Sequence, residues 1–225
     1  GFGYRSIWHI QGIEKLKFFL LHYRRQDTTG KLIRASIRWT QLELGPPNQI
    51  FDYNFDKYHH FVTNTWCTHL WEFLCSCHST INEHDPWLYE PPRENDFYIM
   101  EKIYSSEMSL EHQQIFNEVR LSLQIITASD IVMLHSNERI HKMIYSGINE
   151  RTSKLYWPTH VPFHKTLFQI WRVGLMQNIV PVLRKHKLGK WKSQTHQKFQ
   201  TFVDPNEQYL VHADIAYLRD HSTRL

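Results

Sequence analysis

Cysteine and long apolar runs are scarce in this chain of 225 residues, and each scarcity excludes a class of protein. The three cysteines, Cys67, Cys75 and Cys77, lie close together, which excludes a disulfide-rich secreted domain and indicates a reducing, intracellular setting. No apolar run approaches the roughly 20 residues that a membrane-spanning helix requires, so no membrane contact is expected. Hydrophobic residues form 41% of the chain and aromatic residues 14%, which excludes an intrinsically disordered protein.

The sequence motifs of several enzyme classes are absent as well. There is no G-x-x-x-x-G-K-[ST] and no G-x-G-x-x-G, so neither a P-loop nor a dinucleotide site is predicted. The G-x-S-x-G nucleophile elbow of hydrolases is also missing. No two Asp residues are adjacent, which removes the paired carboxylates that hold the metal ions of a polymerase palm. We therefore assign no catalytic and no cofactor-binding residue to this chain.

Cysteine and histidine are dense in residues 67–84, but their spacing does not suit zinc. Structural zinc sites pair their ligands at C-x₂₋₄-C and H-x₃₋₅-H spacing, whereas here the pairs are one residue apart. Residues that close together on a helix do not share a face. We therefore predict no metal site and interpret the cysteines as part of a packed helix. The residues concerned are Cys67, His69, Cys75, Cys77, His78 and His84.

Apolar periodicity predicts a mainly α fold, a helical bundle of about five or six helices with a small C-terminal β-hairpin. We expect Thr28 or Thr29 to cap the predicted helix that ends at residue 44, and Ser109 to cap the predicted helix 109–129. Pro181 is expected to end or kink the last helix. The predicted helices are residues 12–25, 28 or 29 to 44, 57–77, 95–104, 109–129 and 165–180, and the hairpin strands are residues 199–203 and 208–212.

Charge is distributed unevenly along the chain. Residues 151–203 contain ten basic and no acidic residues, a formal charge of +10, whereas the whole chain carries +4. Residues 1–38 hold eight basic and two acidic residues, and residues 39–150 hold six basic and sixteen acidic ones. This pattern favours a division near residue 150, into a helical, thumb-like domain with an acidic middle (1–150) and a basic α+β part (151–225). A single domain is the alternative.

The densest run of positive charge, residues 184–198, is the predicted nucleic-acid-binding site, and we call it the basic segment. Its lysine and arginine side chains suit phosphate contacts, which position a strand without reading its sequence. Trp191 and His196 suit stacking on unpaired bases, although Trp191 would equally suit a place in the core. The predicted binding residues are Arg184, Lys185, Lys187, Lys190, Trp191, Lys192, His196 and Lys198.

Six blocks of sequence share one resemblance: GIEKLKFFLLHYR, TGKLIRASIRWTQLELG, RENDFYIME, LQIITASDI, RTSKLYWP and LGKW…HQKF…FVDP. They resemble the C-terminal region of reverse transcriptases of non-LTR retrotransposons from unicellular eukaryotes such as algae. The opening Gly-Phe-Gly-Tyr resembles the G-G-L-G-[LI] element that follows the palm in these enzymes, with Phe2 and Tyr4 in place of aliphatic residues. The blocks extend over nearly the whole chain.

The resemblance implies that the chain is the part of a longer polypeptide that follows the palm, and Gly1 in place of an initiator Met favours the same expectation. The polymerase core with its Mg²⁺-binding carboxylates would then precede this chain, so no cofactor is expected here. The chain would supply thumb-like helices and a non-catalytic domain that grips template RNA or target DNA. Its expected partners are RNA, DNA and the upstream polymerase domain, in the cytoplasm or nucleus.

Two other functions stay open from the sequence. One is a stand-alone metal-dependent nuclease or transposase-like enzyme that uses Asp52, Asp56, His59 and His60, the most suggestive acid–histidine group in the chain. The other is a protein-interaction module, in which the acidic middle of the chain docks basic partners.

Overall fold

The computed structural model describes residues 6–25, 27–81, 91–148 and 167–192. These residues are mainly α-helical, as predicted, and they contain isolated β-bridges but no strand. None of the described helices is long and apolar enough to cross a membrane. The predicted hairpin and the predicted boundary near residue 150 lie outside the described residues. The described residues form α1 (Ile7–Arg25), α2 (Thr28–Leu44), α3 (Phe55–Tyr58), α4 (Trp66–Ser76), α5 (Ile99–Tyr104), α6 (Leu110–Ser122), α7 (Ala128–Ile131), α8 (Lys142–Tyr145), α9 (Leu167–Gly174) and α10 (Val180–Lys185), with 3-10 turns at Ile50–Asp52 and His59–Phe61 and a π-helical segment at Leu175–Ile179.

Asp27 caps α2, and the prediction of Thr28 or Thr29 is wrong. One carboxylate oxygen of Asp27 accepts a hydrogen bond from the amide of Gly30 at 2.8 Å, and the other lies 2.7 Å from His22 Nδ1. The hydrogen bond from the Gly30 amide lowers the pKa of Asp27 below its ordinary value, and the hydrogen bond with His22 lowers it further. A carboxylate at this position also complements the positive end of the helix dipole.

The single helix predicted for residues 57–77 is two helices, α3 and α4. The break comes from threonine. Thr65 Oγ1 accepts from the amide of Thr68 at 3.3 Å, and Thr68 Oγ1 accepts from the amide of Thr65 at 2.7 Å. This reciprocal capping starts a new helix, because the hydroxyl groups satisfy amides that a continuing helix would have bonded to its own carbonyls.

Ser109 caps α6 as predicted, with its hydroxyl 3.3 Å from the amide of His112. The helix ends at Ser122, earlier than expected, because Gln124 adopts a φ of 57° and the amide of Ile125 donates to the carbonyl of Arg120 at 3.1 Å. Pro181 does not end the last helix. The π-helical segment directly precedes α10, and the proline lies in the first turn of α10, where its missing N–H is not needed.

The chain divides into two compact units. Unit 1 contains residues 6–25, 27–41 and 48–81 of the described chain, and its core is rich in aromatic rings. Trp71 is fully buried, its ring meets Phe55 edge to face at 5.1 Å, and its Nε1 donates to the carbonyl of Tyr53 at 2.7 Å. The core of unit 1 consists of Phe19, Tyr23, Ile33, Ile50, Phe51, Leu70, Trp71, Phe73, Leu74 and Ile81.

Unit 2 contains residues 42–47, 91–148 and 167–192. Its central contact is between Phe116 of α6 and the fully buried Trp171 of α9, whose ring centroids are 4.5 Å apart. Trp171 Nε1 donates to the carbonyl of Ile144 at 3.0 Å, so its one polar atom is satisfied. Trp171, Leu175 and Ile179 are fully buried.

Arg120 of α6 is fully buried in unit 2 and bonds to oxygen atoms at every nitrogen of its guanidinium. Its Nη2 donates to the carbonyls of Leu42 at 2.7 Å and Glu43 at 3.0 Å. Its Nε donates to Asn117 Oδ1 at 2.8 Å, and its Nη1 to the carbonyl of Ile125 at 3.0 Å. Burial lowers the pKa of Arg120 to about 10, so the side chain stays charged at neutral pH.

We expect Arg120→Met to lower the free energy of unfolding by at least about 2 kcal/mol, because methionine fills similar space and leaves several buried carbonyls without a donor. Urea unfolding followed by circular dichroism measures this loss. The matched control is Arg139→Met, which removes an exposed arginine of unit 2 and should change stability by less than about 0.5 kcal/mol. Equal effects of the two substitutions would contradict the role given to the Arg120 hydrogen bonds.

Candidate nucleic-acid interface

The described part of the basic segment, residues 184–192, begins in the last turn of α10 and then leaves the helix. Its backbone pairs in the antiparallel sense with residues 92–95. The amide of Glu94 donates to the carbonyl of Lys190 at 3.0 Å, and the amide of Gly189 donates to the carbonyl of Glu94 at 2.8 Å. The amide of Lys192 donates to the carbonyl of Pro92 at 2.9 Å. These bonds hold the segment in an extended form along the surface of unit 2.

The side chain of Arg93 anchors the same segment. This arginine is buried, and its Nε donates to the carbonyl of Gly189 at 3.0 Å. Its two terminal nitrogens donate to the carbonyl of Ser136 at 2.8 Å and to Asn137 Oδ1 at 2.7 Å. Leu188 is buried in the core of unit 2, and its amide donates to the carbonyl of Asn137 at 3.0 Å. The segment is therefore anchored by one apolar side chain and one guanidinium.

The charged side chains of the described segment point away from this anchor. Arg184, Lys185, Lys187, Lys190 and Lys192 are all exposed. Lys187 Nζ lies 3.3 Å from Glu138 Oε2, so a carboxylate partly balances its charge. The other four have no ion pair with any residue in the described ranges. Four exposed cations without an ion pair on one short segment make this part of unit 2 locally positive, although the Glu94 carboxylate lies 3.3 Å from the Lys190 amide.

Trp191 is 47% exposed, so it is not a core residue, which was the alternative interpretation. Its ring lies 5.2 Å from the guanidinium carbon of Arg93, a distance at which a cation attracts an aromatic face. Side chains alternate along an extended backbone, which places Lys190 and Lys192 on one side and Trp191 on the other. The segment is thus a ridge with cations along one side and an aromatic ring along the other. His196 and Lys198 lie outside the described residues.

The acid–histidine group in unit 1 does not form a metal centre. His59 Nδ1 is 3.0 Å from the carbonyl of Phe55, and the His59 ring stacks on Phe55 at 5.0 Å and lies 3.7 Å from the ring of His60. Asp52 and Asp56 are exposed. Across the ranges that the structure describes, no group of three or more His, Cys, Asp or Glu side chains is arranged to hold a metal ion.

The three cysteines occupy three different environments and are all free thiols. Cys67 is buried, and burial raises the pKa of its thiol to about 11, so it is unreactive at neutral pH. Cys75 is partly buried, and its sulfur lies 3.5 Å from the carbonyl of Tyr53. Cys77 is exposed. Only the first two therefore belong to the packed helix that the sequence suggested for all three.

An open groove of about 900 Å³ lies elsewhere in unit 2, beside the N-terminus of α6 and the π-helical segment. Its walls carry hydroxyl and amide groups together with the carboxylate of Glu107, and they contain no lysine or arginine. A groove of this composition suits neutral polar groups better than phosphate, so it is not part of the candidate interface. Its polar lining residues include Ser105, Ser106, Ser109, His112, Gln169, Gln177 and Asn178.

Sequence reasoning missed the residues that position the interface. Ser136, Asn137 and Glu138 lie in a stretch without a motif, and Arg93 opens the block RENDFYIME, which indicates no partner for it. Arg93 bonds to Gly189 across a separation of 96 residues, and no local pattern indicates such a pairing. The only signal available was the proline pair before Arg93, which marks a loop without indicating its partner.

No protein-family model, no curated protein and no solved structure matches this chain. The resemblance to non-LTR reverse transcriptases therefore rests on the sequence blocks alone, and the function is inferred from the geometry of the basic segment.

We expect Arg93→Leu to release the basic segment while unit 2 stays folded. Loss of a charged donor leaves the carbonyls of Gly189 and Ser136 unpaired, a cost of about 1.5–3 kcal/mol, which corresponds to roughly 10- to 100-fold faster amide exchange. Hydrogen exchange at Leu188, Gly189 and Lys192 measures the effect. Arg172→Leu is the matched control, since Arg172 is an exposed arginine of the same unit. Unchanged exchange in Arg93→Leu would contradict the anchoring role.

Proposed function

We propose that this chain binds nucleic acid through the basic segment, as a non-catalytic C-terminal part of a retroelement reverse transcriptase. The observation that carries the proposal is the anchored, exposed stretch of residues 184–192, in which the side-chain cations of Arg184, Lys185, Lys190 and Lys192 form no ion pair with the described residues. Among the residues that the structure describes, the one carboxylate in contact with this stretch besides that of Glu138 is that of Glu94, whose Oε2 accepts from the backbone amide of Lys190 at 3.3 Å. Phosphate groups are the ligands that such a row of free cations suits, because each contact releases condensed counterions.

The anchoring of the segment supports the same function. Four like charges on one short stretch repel each other, although Arg184 and Lys185 also lie in the last turn of α10, where a cation complements the helix dipole. The buried Arg93 and Leu188 nevertheless hold the stretch in one conformation. A pre-ordered binding surface loses less conformational entropy when a ligand binds, which raises affinity. The anchoring thus supports a binding surface that is ordered before a polyanion arrives.

Trp191 adds a contact that phosphate binding does not require. Its indole is half exposed on the same segment as the cations, and a combination of exposed aromatic rings and positive charge is typical of surfaces that bind single strands. The proposed ligand is therefore a strand with unpaired bases, either template RNA or single-stranded DNA. The polymerase reaction and its Mg²⁺ ions belong, in this proposal, to an upstream domain of the same polypeptide, for which the resembling sequence blocks are the support.

Neutralising the free lysines tests the phosphate contacts. In the triple variant Lys185→Gln, Lys190→Gln and Lys192→Gln, we expect the slope of log K against log salt to fall in magnitude by about 2 to 3, at roughly 0.7 to 0.9 for each lost contact. Fluorescence anisotropy with a labelled single-stranded RNA and DNA, over a range of salt concentrations, measures the slope.

Two controls distinguish the loss of contacts made by the basic segment from the loss of net positive charge. The triple variant of Lys57, Lys102 and Lys142 to Gln removes the same number of charges elsewhere in the chain. The double variant Lys187→Gln with Glu138→Gln removes the compensated pair and leaves the net charge unchanged. We expect both controls to bind with a nearly unchanged slope. If the first control lowers the slope as much as the test variant does, the basic segment is not the binding site.

Replacing Trp191 tests the stacking contact. We expect Trp191→Ala to weaken binding of a single strand by about 1–3 kcal/mol, which is roughly 5- to 150-fold, and to leave duplex binding nearly unchanged. Trp191→Phe keeps an aromatic face and should restore most of the affinity. The same anisotropy titration measures all three proteins, with hydrogen exchange confirming that the segment is still held by Arg93. Equal affinity of Trp191→Ala and the unsubstituted protein for single strands would remove Trp191 from the interface.

A further inference from the structure

The loop of residues 133–139 in unit 2 is closed by hydrogen bonds of its own. The amide of Met133 donates to the carbonyl of Arg139 at 2.9 Å, and the amide of Ser136 donates to the carbonyl of Met133 at 2.9 Å. The second bond closes a turn whose tip carries Leu134. The Ser136 hydroxyl accepts from the amide of Arg139 at 3.0 Å, so both ends of the loop are fixed.

The tip of this loop is apolar. Leu134 is 64% exposed, and the neighbouring Met133 is 45% exposed. Turns favour Gly, Pro, Asn, Asp and Ser, so neither the turn nor the core of unit 2 requires a leucine at the tip. Loops that a scaffold holds in place commonly carry binding residues. A ligand that covers the tip would supply the burial that the fold does not provide.

The loop is joined to the basic segment by the residues that anchor that segment. The Arg93 guanidinium donates to the Ser136 carbonyl at 2.8 Å and to the Gly189 carbonyl at 3.0 Å. The amide of Leu188 donates to the carbonyl of Asn137 at 3.0 Å. One buried side chain therefore bonds to both stretches, and the apolar tip lies two residues from the point where it does so.

A nucleic-acid strand on the basic segment is the ligand that fits the tip. Its phosphates suit the cations of residues 184–192, and its bases offer apolar surface of the kind that Leu and Met contact in nucleic-acid complexes. The Arg93 guanidinium also lies 5.2 Å from the Trp191 ring, so the loop and the ring adjoin the same side chain. A lipid surface fits less well, because two side chains on one turn bury little area in a bilayer.

We propose that Leu134 contacts the bases of the strand whose phosphates the basic segment binds. The inference rests on the proposed nucleic-acid binding and adds to it a base contact from a second part of unit 2. The two kinds of contact depend on different things. Phosphate contacts weaken with salt and do not require a base, whereas an apolar contact requires the base and is not weakened by moderate salt.

Leu134→Ser tests the base contact, and serine suits a turn, so the loop should keep its conformation. The titration uses fluorescence anisotropy with a labelled single strand of RNA or DNA, whichever the unsubstituted protein binds more tightly. We expect about 5- to 20-fold weaker binding, because the leucine loses its burial against the base. With an abasic strand of the same backbone and length, variant and unsubstituted protein should bind equally. The slope of log K against log salt should be the same for both proteins.

Two control variants accompany the test. Leu134→Met keeps an apolar tip and should bind like the unsubstituted protein. Leu110→Ser removes a 45% exposed leucine from the first residue of α6 in the same unit, and it should leave binding unchanged. Hydrogen exchange at Leu188 and Gly189 confirms in each variant that the basic segment is still anchored.

Unchanged affinity of Leu134→Ser for the base-bearing strand overturns the inference. An equal loss with the abasic strand overturns it too, because the loop would then act through the phosphate contacts. In both cases the proposed nucleic-acid binding stands if the lysine variants still lower the salt slope, whereas an unsubstituted protein that binds no strand overturns both. Leu134-dependent binding to vesicles of phosphatidylcholine and phosphatidylserine in equal parts, with strand binding unaffected, would assign the tip to a lipid surface instead.

Discussion

The Arg120 guanidinium is the interaction on which the order of unit 2 depends. The last carbonyls of a helix have no partner within it. The last three residues of α2, Leu42 to Leu44, belong to unit 2, and their carbonyls receive hydrogen bonds from other residues of the same unit. Arg120 donates to Leu42 and Glu43, Asn117 Nδ2 donates to Glu43 at 2.8 Å, and the Tyr104 hydroxyl donates to Leu44 at 2.7 Å. A cation at the negative end of a helix dipole strengthens the arrangement. Because Arg120 lies in α6, which carries Phe116 against Trp171 of α9, the same network orients the helices that lead to the basic segment.

Arg93 repeats the arrangement closer to the surface. Both arginines are buried, and their hydrogen-bond acceptors in the described structure are carbonyl and amide oxygens, which satisfy a guanidinium without neutralising it. The positive charge of Arg93 therefore remains next to the basic segment, 3.0 Å from the Gly189 carbonyl and 5.2 Å from the Trp191 ring. A charge in surroundings of low polarity is screened less than one in water, so Arg93 adds to the potential that a phosphate meets. The anchor of the segment thus strengthens the field of the surface that it positions.

Local signals predicted the helices well and their interruptions poorly. The periodicity of α1, α2, α6 and the inward face of α9 is visible in the sequence, and so is the cap at Ser109. The break before α4 depends on the reciprocal hydrogen bonds between Thr65 and Thr68. These bonds compete with the backbone hydrogen bonds of a continuous helix. The charges of the basic segment were evident from composition. Its conformation was not, since that depends on Arg93, 96 residues away from the carbonyl it binds, and tertiary pairing of this kind leaves no periodic trace.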